Sequence, residues 1–194
     1  MTRPCVARKE SRVKRGAVLV PILASTPPSV IFVERAAHLR RHPGQIAFPG
    51  GIEEPADGGD PVTTALRELH EELGIDAESV NVVGSLPEVE QFSSRFRITP
   101  VVAVLDADAS VAVDGEEIAD AFTVPLATIF EEGRLYPDES LGAARARTLY
   151  AFDHGERHIW GFTARILKSF VDAWSEPVSP IRAAVEAIIK PEVI

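Results

Sequence analysis

The chain has 194 residues, 45% of them apolar, and a formal net charge of −9. That is enough apolar material for one buried core, and the acidity argues against a general nucleic-acid binder. No apolar run approaches the ~18 residues of a membrane helix, and the lone Cys5 cannot close an internal disulfide, so a cytoplasmic chain is expected.

In chain order, residues 1–14 form a basic arm, with Arg3, Arg8, Lys9, Arg12 and Lys14 against Glu10 alone. Such an arm is ordinarily a solvated tail, although it can also draw in an anionic ligand. The arm and the apolar run Gly16–Ala24 together mimic a secretory leader. The same run reads better as the first strand, 16–23, of a single domain over residues 15–194. Pro27-Pro28 marks a hairpin-like turn into a strand at 29–34, and a further strand is expected at 45–48. A helix follows at 62–74, with Asp60 as its cap, Pro61 in its first turn and Gly74 as its left-handed stop. Val62, Ala65, Leu66, Leu69 and Leu73 give it one apolar stripe.

Strands are then expected at 80–86 and 97–105, and short helices near 116–121 and 126–131. Gly133 to Ala146 reads as a loop, followed by strands at 147–153 and 156–160 and helices at 161–174 and 181–190. Phe162, Ile166, Leu167 and Phe170 recur at helical spacing as a packing stripe, and Trp160 and Trp174 are assigned to packing as well. The ending Pro191-Glu192-Val193-Ile194 is no peroxisomal address.

The chemistry concentrates on the helix at 62–74. Glu68, Glu71 and Glu72 lie at i, i+3 and i+4, on one side of the helix and nearly opposite its apolar stripe. Crowding like charges destabilises a helix, and hard divalent cations take clustered carboxylate oxygens. A solvated outer face is the plainer reading of the same residues. Upstream, Phe48-Pro49-Gly50-Gly51 offers a pair of glycines through which backbone can approach a ligand closely.

Gly51, Asp57 and Arg67-Glu68-Leu69-His70-Glu71-Glu72-Leu73-Gly74-Ile75 together resemble the Nudix box, G-x5-E-x7-R-E-U-x-E-E-x-G-U with U apolar. Two positions depart from it. Asp57 stands where glutamate is usual, and nine residues rather than seven separate it from Arg67. Arg35-Ala36, Arg40, Gly44 and Phe48-Pro49-Gly50-Gly51 resemble the signature R-[SA]-x3-R-x3-G-x3-F-P-G-G of the coenzyme A pyrophosphatase branch of Nudix hydrolases. The likeness spans roughly residues 15 to 170.

The resemblance implies an α/β fold, a Nudix-type α/β/α sandwich with a mixed β-sheet between helical layers. It also implies metal-dependent hydrolysis of the pyrophosphate of coenzyme A or its thioesters. Magnesium or manganese is the expected cofactor, with Glu68 and Glu72 as leading ligands, Glu71 as third, and a carbonyl of Gly50 or Gly51 as a further donor. Arg67 is read as a guanidinium that fixes a carboxylate, in preference to an exposed ion pair with Glu71. Glu71, Glu68 and Glu117 are candidates for the general base. Glu117 enters because the family contributes a glutamate from a separate loop, although Glu116 and Glu117 fit the first turn of a short helix equally well.

Arg35, Arg40 and Arg41 are candidate phosphate contacts, with Gly50 and Gly51 beside them. His38 and His42 share i,i+4 spacing but read as surface histidines. Phe92 and Phe96 offer rings for an adenine, with core packing as the plainer reading. An isopentenyl-diphosphate-isomerase-like activity calls for a catalytic cysteine, and only Cys5 is present. A silent nucleotide-binding module would be expected to have lost the box carboxylates. A pyrophosphatase for ADP-ribose or NADH remains the rival within hydrolases.

Overall fold

The computed structural model describes residues 13–90, 96–139 and 149–189. A mixed sheet forms the middle layer, built on β1 (Lys14–Leu23), β2 (Ser29–Arg35), β7 (Phe96–Leu105) and β8 (Ile118–Pro125). β1 runs parallel to β7 along its whole length, and β2 runs antiparallel to β8. Near-continuous apolar runs such as Ala17–Val20 suit strands covered on both faces.

β1 and β2 pair only at Ile22↔Val30 and Leu23↔Ser29, then splay apart. Short strands occupy the opening. β3 (Ile46–Ala47) pairs with β2, and β4 (Gly50–Ile52) pairs with β1. β5 (Val80–Ser85) and β6 (Val89–Glu90) both pair with β7. The start of β1, the end of β2 and the start of β8 therefore gather at the open side of the splay.

Helices cover both faces. α1 (Pro61–Leu73) packs Ala65, Leu69 and Leu73 against Leu19, Val33 and Val101. α3 (Gly161–Ser175) and α4 (Pro180–Ile188) close the other face through Ile166, Leu167, Phe170 and Val185. The short α2 (Leu126–Ile129) follows β8 directly. Beside α3 lies a separate three-stranded sheet of β9 (Leu135–Pro137), β10 (Tyr150–His154) and β11 (Arg157–Trp160). The architecture is the expected α/β/α sandwich. No helix among the described residues is long and apolar enough to cross a membrane.

Four expectations change. The helix expected at 116–121 is the start of β8, because the Asp114 carboxylate accepts the Glu117 and Ile118 N–H groups, at 3.0 and 2.8 Å, and bends the chain into the strand. The loop expected from 133 contains β9, which pairs with β10, while 140–148 lie outside the described residues. Lys14, placed in the arm, begins β1 opposite Phe96, and residues 1–12 are not described. Trp160 is 40% exposed rather than packed, since strand alternation in β11 sends Ile159 into the core and Trp160 outward. Trp174 does pack, stacked on Phe130 with centroids 5.0 Å apart.

Candidate active site

The acidic helix is held at both ends. Asp60 accepts the Val62 and Thr63 N–H groups at 3.2 Å, and Gly74, at φ 65°, donates to the His70 carbonyl at 2.8 Å. The chain between β7 and β8 crosses the helix end, where Ala112 and Asp114 donate to the Leu73 and Glu72 carbonyls at 2.9 and 3.2 Å. With its ends fixed, the helix carries its carboxylates on a rigid element.

Arg67 organises these carboxylates. Its Nε and Nη2 donate to the two oxygens of Asp57 at 3.0 and 3.1 Å, a bidentate fork. Nη1 reaches Glu71 at 2.8 Å, and Nη2 also donates to the Ile52 carbonyl at 3.1 Å and lies 3.0 Å from Glu68. The Arg67 side chain is 20% exposed and that of Asp57 only 2%, while Glu71 is 55% exposed, so the Asp57 fork is the buried part of this network and Glu71 sits at its solvent edge. Asp57 also accepts from the Glu54 N–H at 2.8 Å and the Thr64 hydroxyl at 3.0 Å. The Arg67 fork first, and these donors after it, hold the Asp57 carboxyl down at about 2. Asp57 thus has a geometric role: it anchors Arg67, and the chain between them turns through Gly58 and Gly59 at positive φ before α1 begins.

Glu72 has the opposite environment. It is 5% exposed, and its carboxylate accepts one N–H, from Gly50 at 3.1 Å. Burial, helped by repulsion from Glu68, pushes its carboxyl up to about 8 despite that bond. Glu68 is raised as well, chiefly by burial, with Arg67 opposing the shift. Two under-solvated carboxylates side by side leave a deficit of positive charge. Among the described residues no three His, Cys, Asp or Glu side chains form a ready-made cage. The donor set is nonetheless all oxygen, as magnesium or manganese requires.

Gly51 keeps that pocket open. A Cβ there would fall 2.3 Å from a Glu68 carboxylate oxygen. Gly51→Ala is expected to displace Glu68 and lower kcat by roughly 100-fold, the penalty of an ångström-scale misplacement, with the melting temperature little changed. Paired kinetic and melting measurements check this. Rate and melting temperature falling together would mark a folding defect instead.

Glu117 reaches the same site from the start of β8. Its carboxylate is 3.6 Å from Arg35 Nη2, and both Glu68 and Glu72 feel its charge. Among the described residues, the buried Arg35 Nε has no hydrogen-bond partner. Arg35, Glu68, Glu72 and Glu117 thus converge, with Arg67 and Glu71 alongside. Arg40 and Arg41 do not join them. They are exposed on the loop between β2 and β3. His38 and His42 lie on that loop rather than on a helix, and His42 Nδ1 bonds Gln45 at 2.8 Å. Phe96 is half-buried with Lys14 Nζ 5.6 Å from its ring centre, and Phe92 is outside the described residues.

A family model described as the NUDIX domain matches residues 13–146. A protein of an Enterobacter species named Uncharacterized Nudix hydrolase NudL is 33% identical over 168 residues, covering 87% of this chain and 86% of its own. Its namesake in Cronobacter sakazakii is 34% identical over the same coverage. A MutT/nudix family protein from Enterococcus faecalis has a TM-score of 0.58 at 14% identity, over 94% of this chain and 71% of its own. That last likeness is one of fold alone.

Proposed function

We propose, because this chain belongs to the Nudix family and is a Nudix pyrophosphatase, that its substrate is coenzyme A or a coenzyme A thioester. Water adds to one phosphorus, the P–O–P bridge breaks, and the products are 3′,5′-ADP and 4′-phosphopantetheine or its acyl form. The observation that carries this reading is the Arg35 guanidinium, which opens the coenzyme A signature and lies at the edge of the carboxylate cluster, Nη2 3.6 Å from Glu117, with its side chain 24% exposed. A diphosphate oxygen would be held by its terminal N–H groups.

Glu68 and Glu72, with Glu71 beside them, would hold magnesium or manganese. When bound, the metal neutralises phosphate oxygens and lowers the pKa of a water molecule. Arg67 fixes Glu68 and Glu71 by direct contact and is itself fixed by Asp57. Glu117, 62% exposed at its side chain, is free to take the attacking water's proton, with Glu68 and Glu71 as the other candidates. Arg35 stabilises the charge that builds on the departing phosphate.

The test is parallel incubation with coenzyme A, NADH and ADP-ribose in magnesium or manganese. Recovery of 3′,5′-ADP with 4′-phosphopantetheine supports the reading, and exclusive cleavage of either alternative overturns it. The exposed Arg40 offers a finer check. Arg40→Ala is expected to raise KM for coenzyme A by about tenfold, in line with a lost charge-assisted hydrogen bond. KM for 3′-dephospho-coenzyme A should stay near its original value. Equal changes for both would remove Arg40 from contact with the 3′-phosphate.

A further inference from the structure

We infer that Asp114 is a positioning residue that sets Glu117 against the carboxylates of α1, a role that rests on Glu117 working at the site described above. Asp114 is exposed, and both of its carboxylate oxygens are engaged by backbone N–H groups. Its backbone N–H donates to the Glu72 carbonyl at 3.2 Å. Its side chain grips the other partner. Oδ2 accepts the Glu117 N–H at 3.0 Å and Oδ1 accepts the Ile118 N–H at 2.8 Å. One residue therefore ties the peptide of a candidate metal ligand to the peptide of the glutamate that faces it.

The surrounding chain leaves this link little slack. Ala112 is fastened to Leu73 at 2.9 Å, and Gly115, at φ +74°, donates to the Ile118 carbonyl at 3.2 Å. On its far side, Glu117 accepts from the Ala36 N–H at 2.8 Å, next to Arg35. Without the carboxylate of Asp114, Glu117 and Ile118 lose the acceptors that bend the chain from the strap into β8. The Glu117 side chain then leaves a rigid mount for a mobile one, and alignment of a reacting group is lost well before the fold is. An aspartate serving only to form a turn would affect stability and nothing else.

The test compares Asp114→Ala, Asp114→Asn, Glu117→Gln and the D114A/E117Q double variant in the full chain. D114A is expected to lower kcat about tenfold, with KM within a factor of about two. In metal-free protein the Glu117 and Ile118 amides should exchange with deuterium faster, while those of the first turns of α1 keep their protection. D114N, whose carbonyl oxygen still accepts from Ile118, should recover part of the loss. The double variant should be no slower than E117Q, because Asp114 acts through Glu117. Multiplicative losses in the double variant, or an unchanged kcat in D114A, would overturn the inference. If the wild-type chain cleaves ADP-ribose or NADH instead of coenzyme A, the substrate reading fails. The same cycle then runs on the substrate that is cleaved, so Asp114 is judged separately.

Discussion

Glu72→Gln is expected to abolish turnover, lowering kcat by about a thousandfold or more, while flattening the pH dependence of stability in the metal-free protein. The catalytic loss follows from removing a buried carboxylate that would hold the metal together with Glu68. The second effect follows from the environment of Glu72. Burial pushes its folded carboxyl up to about 8, well above the usual 4.5 of a glutamate, with the N–H of Gly50 opposing the shift. A raised acid pKa means that the folded chain binds the proton more tightly than the unfolded chain. That contribution to stability is complete below about 4.5 and is lost as pH rises through about 8.

Glutamine is neutral throughout and keeps an oxygen for Gly50. Melting curves of the metal-free proteins between pH 5 and pH 8 should therefore fall for the wild type and stay nearly level for the variant. Added magnesium should recover the wild type at the upper end and do little for the variant, since only ionised Glu72 gains a partner. Parallel curves for the two proteins would show that Glu72 is not held protonated by its surroundings.

Arg67→Ala should be the most destabilising single change in the site, lowering the melting temperature by on the order of 10 °C. It strands Asp57, which is 2% exposed and whose two oxygens both face the guanidinium. Arg67→Lys should recover little, since an ammonium cannot span both oxygens and also reach Glu71 and the Ile52 carbonyl. Acid provides the control. Arg67 depresses the Asp57 carboxyl to about 2 from 3.8, so the stability it contributes is present above about 3.8 and lost as pH falls through about 2. The penalty of Arg67→Ala should accordingly hold from pH 7 down to about pH 4 and shrink as pH falls from about 3.8 toward about 2, where the carboxyl takes up a proton in the wild type as well. Urea titrations at pH 7 and near pH 2 check this, and a constant penalty would place the damage outside the Asp57 pair.

What could be read from the chain beforehand was mostly local in origin. The ends of α1 were legible because Asp60, Pro61 and Gly74 act within a few residues of themselves, and its inner face because apolar periodicity survives folding. The carboxylate trio was legible for the same reason, being a matter of spacing on one helix. The burial of Glu72 was not, since it depends on Gly50 arriving from β4 and on the strap that crosses the helix end. The partner of Arg67 was hidden likewise, because Asp57 meets it through a tertiary fork.

β4 and β6 span only three and two residues, too few for an alternation pattern to register. β8 was misread because Glu116 and Glu117 look like the acidic first turn of a helix. A side chain two positions earlier, Asp114, takes the amides that a helix start would have left free. The Asp114-Gly115 pair, with Ile118 four residues after the aspartate, was the available signal for that turn.

The Asp57–Arg67 fork has a consequence for how such a site drifts over generations. The guanidinium recognises a carboxylate by where it sits in space, and Gly58 and Gly59, both at positive φ, form the turn between Asp57 and the cap of α1. Insertions or deletions in that turn should be accepted more readily than a change of either ion-pair residue, whereas one inside α1 would swing Arg67 about 100° around the helix. Lineages would then differ in the number of intervening residues while preserving the ion pair, and a search that counts positions would overlook members that a search for the pair would find.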